Sequence, residues 1–403
     1  MDTDVIIVGG GLSGPLTALA LARGGMSSVV LDAAPRPDLP GPFTGRAYAI
    51  ALAGVRMLQA LDLWETIEDA QPITGIRASD GRVGEGASSL HLRFDAAMIG
   101  ERSMGHMVED RHLRHALLQA CVADPCVEVR FDKQVVAQDV DARATVTLAD
   151  GGTLSAALLV GCDGRGSGVA ERAGLRRNVK DYRQTALTCA VAHARPHDGV
   201  AHQLFLPPGP LAILPLADNR SSLVWTETAE TAAQIAAMDE DAYLDILRPR
   251  FGSFLGEIEL TGARGTYPLT LTLTQDLIAP RVALAGDAGH GIHPIAGQGL
   301  NLGIKDVAAL AEVLTEARRR GEDIGSLPVL ERYARWRRFD NAQMGVATDA
   351  VNALFSNDDP ILRGLRRLGL GAVDHLDGLK RRFIREAAGL SGDLPRLLQG
   401  QPL

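Results

Sequence analysis

The chain has 403 residues, 46% of them hydrophobic and 22% charged, and a net charge of −8. That length can bury a sizeable core across two or three domains. The composition is that of an ordinary globular protein, and the negative balance excludes general nucleic-acid binding, which needs a basic footprint.

The four cysteines, Cys121, Cys126, Cys162 and Cys189, lack metal-ligand spacing and read as free thiols of a reducing compartment, so no metal site is expected. The start does not read as a signal peptide: Asp2 and Asp4 stand where basic residues belong, and glycines interrupt the apolar run. No stretch approaches the roughly 18 uninterrupted apolar residues of a membrane span. A cytoplasmic location is expected.

Asp4-Val5-Ile6-Ile7-Val8 is a β-branched run of the kind that forms a buried parallel strand. Gly9-Gly10-Gly11-Leu12-Ser13-Gly14 follows as G-x-G-x-x-G, and Leu16, Leu19, Ala20 and Ala22 fit a helix packed on a sheet. A second strand, Ser28 to Leu31, ends at Asp32. Strand, glycines, helix, strand and acid in this order predict a dinucleotide site. Gly9, Gly11 and Gly14, with Leu12 and Ser13 between them, bring backbone N–H groups to a pyrophosphate, and Asp32 accepts from a ribose hydroxyl. A carboxylate there repels a 2′-phosphate, which favours the adenosine of FAD or NAD over that of NADP.

Val55 to Ile67 reads as an amphipathic helix through Leu58, Leu61 and Leu63. From Ile76 to Met98 short alternating pieces, such as Leu90 to Phe94, predict strands of a second domain. A helix through Leu113, Leu117 and Leu118 follows, then two or three strands between Val127 and Leu148. Leu158 to Gly161 is another apolar strand, running into Cys162-Asp163-Gly164-Arg165-Gly166-Ser167.

Thr185 to Glu227 reads as a four-stranded antiparallel sheet with turns at Pro207 to Pro210 and Asp218-Asn219. Its large apolar residues, Phe205 and Trp225 among them, fit sheet core better than a ligand floor. Ala233 to Phe251 is a helical connector.

Arg281 to Ala285 is a buried strand, and GDAGHGIHPIAGQGLNLGIKD follows it from Gly286 to Asp306. Gly286-Asp287 puts a carboxylate at the strand's mouth, where it can accept from sugar or ribityl hydroxyls. Gly297 and Gly299 let backbone approach a flat ligand. A helix starting near Gly299, with Leu300 and Asn301 in its first turn, aims N–H groups at an electron-rich ring that becomes anionic on reduction. Three strand-end sites, Gly9 to Gly14, Asp163-Gly164 and Gly286-Asp287, imply one extended dinucleotide, and FAD fits better than NAD.

Beyond the motif, Arg318-Arg319-Arg320 closes a helix on a solvated basic turn. Long helices run from Leu327 to Phe355, with Tyr333 and Trp336 at core spacing. Ile361 to Leu390 sets Arg363, Arg366, Arg367, Lys380, Arg381, Arg382 and Arg385 among leucines. That pattern suits an anionic membrane surface, a partner helix or a solvated face.

These motifs resemble those of the FAD-dependent aromatic hydroxylases, the para-hydroxybenzoate-hydroxylase-like monooxygenases. The string HPIAGQGLNLG after GDA is most similar to the ubiquinone-biosynthesis branch. The resemblance implies an α/β fold with a doubly wound, Rossmann-like FAD-binding domain of the glutathione-reductase type over residues 1–76, 104–183 and 268–350. An antiparallel-sheet substrate domain would occupy 77–103 and 184–267, and a C-terminal helical segment 351–403.

It further implies non-covalent FAD, NAD(P)H as reductant, dioxygen reacting at the flavin C4a carbon, and a hydroxyl delivered to the ring of a polyprenylated phenol. It places Arg46 near the flavin, Asp110 as a helix cap with Arg111 near the cofactor, and the backbone of Val135 at the adenine edge. Asp163 and Gly164 fall at the pyrophosphate, and Pro294 at the edge of the flavin ring. The second fingerprint, D-G-x-x-S-x-x-R, matches at Asp163, Gly164 and Ser167 but has Ala170 in place of the arginine, with Arg172 two residues on.

No catalytic residue is assigned, since the flavin carries the hard chemistry; His290 and His293 read as structural. Two alternatives remain open: a same-fold prenyl-chain reductase or dehydrogenase, and a non-catalytic flavoprotein scaffold of a quinone-synthesis complex. Expected partners are the apolar polyprenyl-phenol, such a complex or a second copy of the chain. Peripheral contact with the inner membrane through 361–390 is the remaining one.

Overall fold

The computed structural model describes residues 3–84, 86–292, 297–338 and 376–403. The apolar run Thr3–Val8 lies inside a sheet whose path runs Ile278–Ala279, Val282–Leu284, Thr153–Gly161, Thr3–Val8, Ser28–Leu31, Val127–Arg130. All neighbours along it are parallel except the first pair. Both faces of such strands are covered, so continuous β-branched runs are what the sequence must supply; Val5, Ile6 and Ile7 have no exposed surface. An antiparallel hairpin, Val135–Val140 with Ala144–Leu148, extends from Thr153–Gly161.

Register brings the strand ends into line. Val8 lies opposite Leu31 on one side and Gly161 on the other, and Gly161 lies opposite Leu284. Four strands therefore end at one level, and the three glycine-bearing segments all leave the sheet from the same edge.

The helices are α1 (Ser13–Arg23), α2 (Leu52–Ala60), α3 (Asp110–Ala123), α4 (Gly168–Arg172), α5 (Ala229–Ala236), α6 (Glu240–Phe251), α7 (Gln298–Arg319), α8 (residues 327–338) and α9 (Asp377–Ala387). α1, α7 and Tyr333 of α8 join the parallel sheet in one buried cluster, to which Leu397 and Leu398 also belong. The C-terminal segment is tied down by polar bonds as well: Ala53 N–H donates to Ala388 at 3.1 Å, and Arg396 N–H to Glu312 at 2.6 Å. Phe355, Arg363, Arg366 and Arg367 of the expected helical tail lie outside the described residues.

A second sheet is mostly antiparallel and runs His290–Gly291, Ile258–Thr274, Arg177–His193, Arg220–Thr228, Gly209–Leu216, Val200–Leu206, Gly75–Arg82, Gly86–Asp95. One face packs on α5 and α6 through Leu187, Leu211, Leu223 and Trp225. The other face, with Ala190, Ala201 and Leu216, meets Met104 and Met107 of the small sheet side, and Ile384 of α9. Strand alternation decides the large aromatics. Trp225 is core beneath the helices, whereas Phe205 alternates with the helix-facing Leu204 and Leu206 and so belongs to the opposite face. A three-stranded sheet of Ala47–Ala51, Gly105–Glu109 and Gln71–Pro72 lies between the two large ones in sequence.

Local details depart from the sequence reading in three places. The helix expected to run to Ile67 ends at Ala60, because Asp62 takes a left-handed φ of 58° and the chain resumes as a 3-10 turn at Trp64–Thr66. The connector before Phe251 is two helices, with Asp239 accepting from Ala242 N–H at 2.9 Å to start the second. Asp110 is not a cap: the N-cap position of α3 is Glu109, which makes no side-chain capping bond. The Asp110 carboxylate instead accepts from the Tyr48 hydroxyl at 2.9 Å and pairs with Arg114.

Among the described residues no helix is long and apolar enough to cross a membrane.

Candidate cofactor site

Three loops converge at the shared sheet edge, and the glycines report how closely. A Cβ on Gly9 would collide with the Cys162 carbonyl, so the first motif abuts the second. A Cβ on Gly14 would collide with the Gly9 carbonyl, which is the contact that lets α1 begin against the strand end. A Cβ on Gly286 would lie 2.6 Å from Ser13 Oγ, joining the third motif to the first. Gly303 of α7 approaches the same Gly286, with 3.1 Å from its would-be Cβ to the Gly286 Cα. By contrast, nothing lies within 4 Å of a Cβ on Gly11, Gly164 or Gly299, so those positions border open space.

Asp32 accepts from Gly10 N–H at 2.6 Å and Ala34 N–H at 2.7 Å, which sets its carboxylate against the glycine loop. Leu12 and Leu300 are partly buried at the margin of the same core. α1 and α7 both start without a side-chain cap and without an acidic residue in the first turn. Their leading N–H groups are thus not served by their own sequence, the arrangement that suits an anionic ligand.

Asp163 bonds within its own turn, accepting from Ser167 Oγ at 2.5 Å and Val169 N–H at 3.0 Å. Ser167 in turn accepts from Ala170 N–H and starts α4. Ala170, which stands where the fingerprint has arginine, is fully buried, and Arg172 reaches Gln138 instead. Val135 pairs with Leu148 and is buried, 8% exposed. Arg46 is exposed, its guanidinium 5.3 Å from the Tyr48 ring centre. Arg111 donates to Glu109 at 2.7 Å and to the Gly41 carbonyl at 3.3 Å.

Asn301 acts through its side chain. Its Oδ1 accepts from Ala51 N–H at 2.8 Å, and its Nδ2 donates to Ala49 at 2.9 Å and Gly297 at 3.2 Å. It thereby pins the strand after Arg46 to the first turn of α7. Gly297 leads into α7 with a left-handed φ of 64°, which favours glycine. His293 and Pro294 lie outside the described residues.

Two features were not singled out from sequence. Arg165 bridges the second and third motifs: it donates to Asp287 at 3.2 Å and to the Ile292 carbonyl at 3.4 Å. Asp306, the last residue of the third motif, has no exposed surface. It accepts from Gly286 N–H at 3.0 Å, faces His290 Nε2 at 2.5 Å and accepts from Arg337 Nε at 2.8 Å. Burial on its own would raise this carboxyl, yet His290 and Arg337 hold it below the usual carboxylate range. The signal for Asp306 was an acid on the apolar stripe of α7; its partner Arg337 follows Tyr333 by four residues on a buried stripe of α8.

The residues present fit a flavin dinucleotide: close-packed glycines, two uncapped helix starts and carboxylates at strand ends, all on one edge of a doubly wound sheet. Such a site defines a flavoprotein of the dinucleotide-binding class. Residues 2–340 match the family model described as FAD binding domain. The chain is 44% identical to the ubiquinone hydroxylase UbiL of Rhodospirillum rubrum, covering 99% of this chain and 93% of that one. It is 37% identical to the 3-demethoxyubiquinol 3-hydroxylase of Escherichia coli, covering 96% and 99%. Its fold is that of the p-nitrophenol 4-monooxygenase PnpA of Pseudomonas putida, with a TM-score of 0.80, 22% identity and coverage of 97% and 99%. The chain belongs to the FAD-binding family of aromatic-ring monooxygenases and is an FAD-dependent hydroxylase.

Proposed function

We propose that the chain hydroxylates the aromatic ring of a polyprenylated phenol on the route to ubiquinone, with NAD(P)H as electron donor and dioxygen as co-substrate. The relatives' names support the substrate class. The convergence of Gly9–Gly14, Asp163-Gly164 and Gly286-Asp287 at one sheet edge carries the cofactor assignment.

In this reading Gly9, Gly11, Leu12, Ser13 and Gly14 present N–H groups to the pyrophosphate, and Asp32 accepts from the adenosine ribose. Val135 meets the adenine through its backbone, and Asp163 and Gly164 close the middle of the site. Asp287 contacts the pyrophosphate or ribityl chain, accepting from the ribityl hydroxyls. Gly286, Pro294, Gly297, Gly299, Leu300 and Asn301 shape the loop against the flavin ring, with Arg46 and Arg111 on the loop side. Bound FAD supplies the redox and oxygen chemistry; the protein orients substrate and excludes water.

Residues 1–76, 104–183 and 268–350 serve the cofactor, 77–103 and 184–267 the substrate, and 351–403 follows as the C-terminal segment. The outer face of α9 carries exposed Arg381, Arg382, Phe383 and Arg385, a composition suited to an anionic membrane surface where such a substrate resides.

Purified protein should be yellow and release FAD on denaturation, and Asp287→Ala should lose the cofactor. Oxygen uptake coupled to a hydroxylated product separates this activity from a prenyl-chain reductase. Growth complementation of a quinone-hydroxylase-deficient strain, with mass spectrometry of the accumulated intermediate, tests the substrate; failure to restore quinone would sink it.

A further inference from the structure

The buried group of Asp306, His290 and Arg337 touches none of the open space around the glycines, and nothing in the proposed chemistry uses it. All three are at most 1% exposed. Burying charge this deeply is costly unless donors surround it, and here one of the three donors is a functional backbone: the N–H of Gly286, next to Asp287. Gly286 itself takes a φ of 68°, one of several conformations open to a glycine, so a bond to its N–H can select among them.

The surrounding contacts converge on the same segment. The Tyr333 hydroxyl donates to the Leu284 carbonyl at 2.6 Å, two residues before Gly286. His290, four residues after it, is held by Asp306 and pairs with Leu273 of the second sheet. The run from Leu284 to His290 is thus gripped at both ends and at Gly286 by α7 and α8. The second ring nitrogen of His290, Nδ1, is buried with no hydrogen-bond partner among the described residues, so this ring is held by its Nε2 contact rather than by a network of its own.

We infer that Asp306 is a positioning residue: by accepting from Gly286 it fixes the Gly286-Asp287 turn and so sets the affinity for the flavin nucleotide. The inference rests on the cofactor reading above. Arg337 keeps Asp306 charged and in place; His290 completes its third contact.

The test uses the full chain and measures FAD dissociation together with thermal unfolding of the FAD-free protein. Asp306→Leu combined with Arg337→Met removes both charges at similar volume, so no unpaired ion is left in the core, while Gly286 N–H loses its acceptor. The expected result is a modestly lowered unfolding midpoint, since Gly286 N–H and the His290 ring lose their acceptor, and an FAD dissociation constant raised about tenfold or more. Leu247→Ala, in the core under the second sheet, should lower the midpoint and leave FAD affinity unchanged.

A folded double variant that binds FAD like the parent overturns the inference, as does an FAD loss in Leu247→Ala that tracks its midpoint. If the double variant does not fold, Arg337→Lys decides. It keeps the charge but not the Nε contact, and weaker FAD binding at a near-parental midpoint is expected; an unchanged constant overturns the inference. A parent chain that takes up no FAD sinks the cofactor reading and this inference together, whereas a FAD-binding parent with unaffected variants sinks this inference alone.

Discussion

A carboxylate is buried beside cations in each half of the molecule, Asp306 in one and Glu227 in the other, and the two behave in opposite ways. In the parallel-sheet half, Asp306 has its carboxyl held below the usual range by His290 and Arg337 despite burial. In the antiparallel half, Glu227 is 2% exposed, accepts from Trp225 Nε1 at 2.9 Å and lies 3.3 Å from Arg250 Nε. Burial wins there and its carboxyl is raised, although Arg250 and Trp225 pull the other way. The difference is in the donors. Asp306 has the backbone N–H of Gly286 and two basic side chains. Glu227 has an indole and one guanidinium that is also stacked over the Trp225 ring at 4.8 Å. One cluster ties two helices to the Gly286 turn; the other holds a strand to a helix.

The harshest way to break this contrast is Arg337→Ala. Removing one partner of a buried pair leaves the other charge stranded, which typically costs about 3–5 kcal/mol. Denaturant unfolding should show a loss of that size, together with loss of bound FAD. A change under about 1 kcal/mol would mean that water or another group reaches Asp306. The next largest effect is expected from Asn301→Ala. Ala51 N–H and the Ala49 carbonyl lose their partner at a site only 6% exposed, worth about 1–3 kcal/mol. Because this clamp also aligns the strand after Arg46 with α7, weakened FAD binding should accompany it.

How much of this was legible beforehand follows the same division. Nucleotide-binding loops write themselves into sequence because each needs a particular residue at a particular place. Gly9 and Gly14 must lack a Cβ, and strand, turn and helix must follow in order. These constraints are local, so the first fold unit and its loops could be read directly. The antiparallel half has no such demand beyond alternation, which located its strands but not the face that Trp225 occupies.

Asp306 and Arg337 escaped for a third reason. They are 31 residues apart in different helices, and each alone looks like an ordinary charged position. Arg165 carries no mark of its own in the sequence: the fingerprint's arginine falls at position 170, where Ala170 is core. Asp110 looked like a cap because an acid at a helix start usually is one; Tyr48, 62 residues away, took its carboxylate.

A milder effect tests the second sheet through acid. Burial, with Arg77 and His91 nearby, pushes the imidazole of His202 down to about 4. The unfolded chain therefore takes up this proton first, and stability is lost as pH falls from about 6.5 toward 4. At pH 5.5 the loss should be about 1 kcal/mol. His202→Phe, whose ring can pack on Phe254 as the imidazole does at 4.5 Å, should flatten the fall in unfolding midpoint between pH 7 and 5. An equal fall in both proteins would show that other groups cause it.

The smallest effect comes from the two carboxylates themselves, and it is one of sign. Glu227 has a folded value above its unfolded one, so the stability it contributes is present below about pH 4.5 and declines as pH rises through the folded value. The midpoint gap between the parent and Glu227→Gln should therefore shrink from pH 4.5 to 7. Asp306 has a folded value below its unfolded one, so its contribution is complete above about pH 4 and is lost only in stronger acid. The gap between the parent and Asp306→Asn should grow from pH 3 to 5 and then stay level. Two buried acids with amide replacements of the same kind would thus give pH profiles of opposite slope. If both gaps moved the same way, the distinction between a carboxylate recruited to hold a loop and one merely tolerated in a core would have no basis in their surroundings.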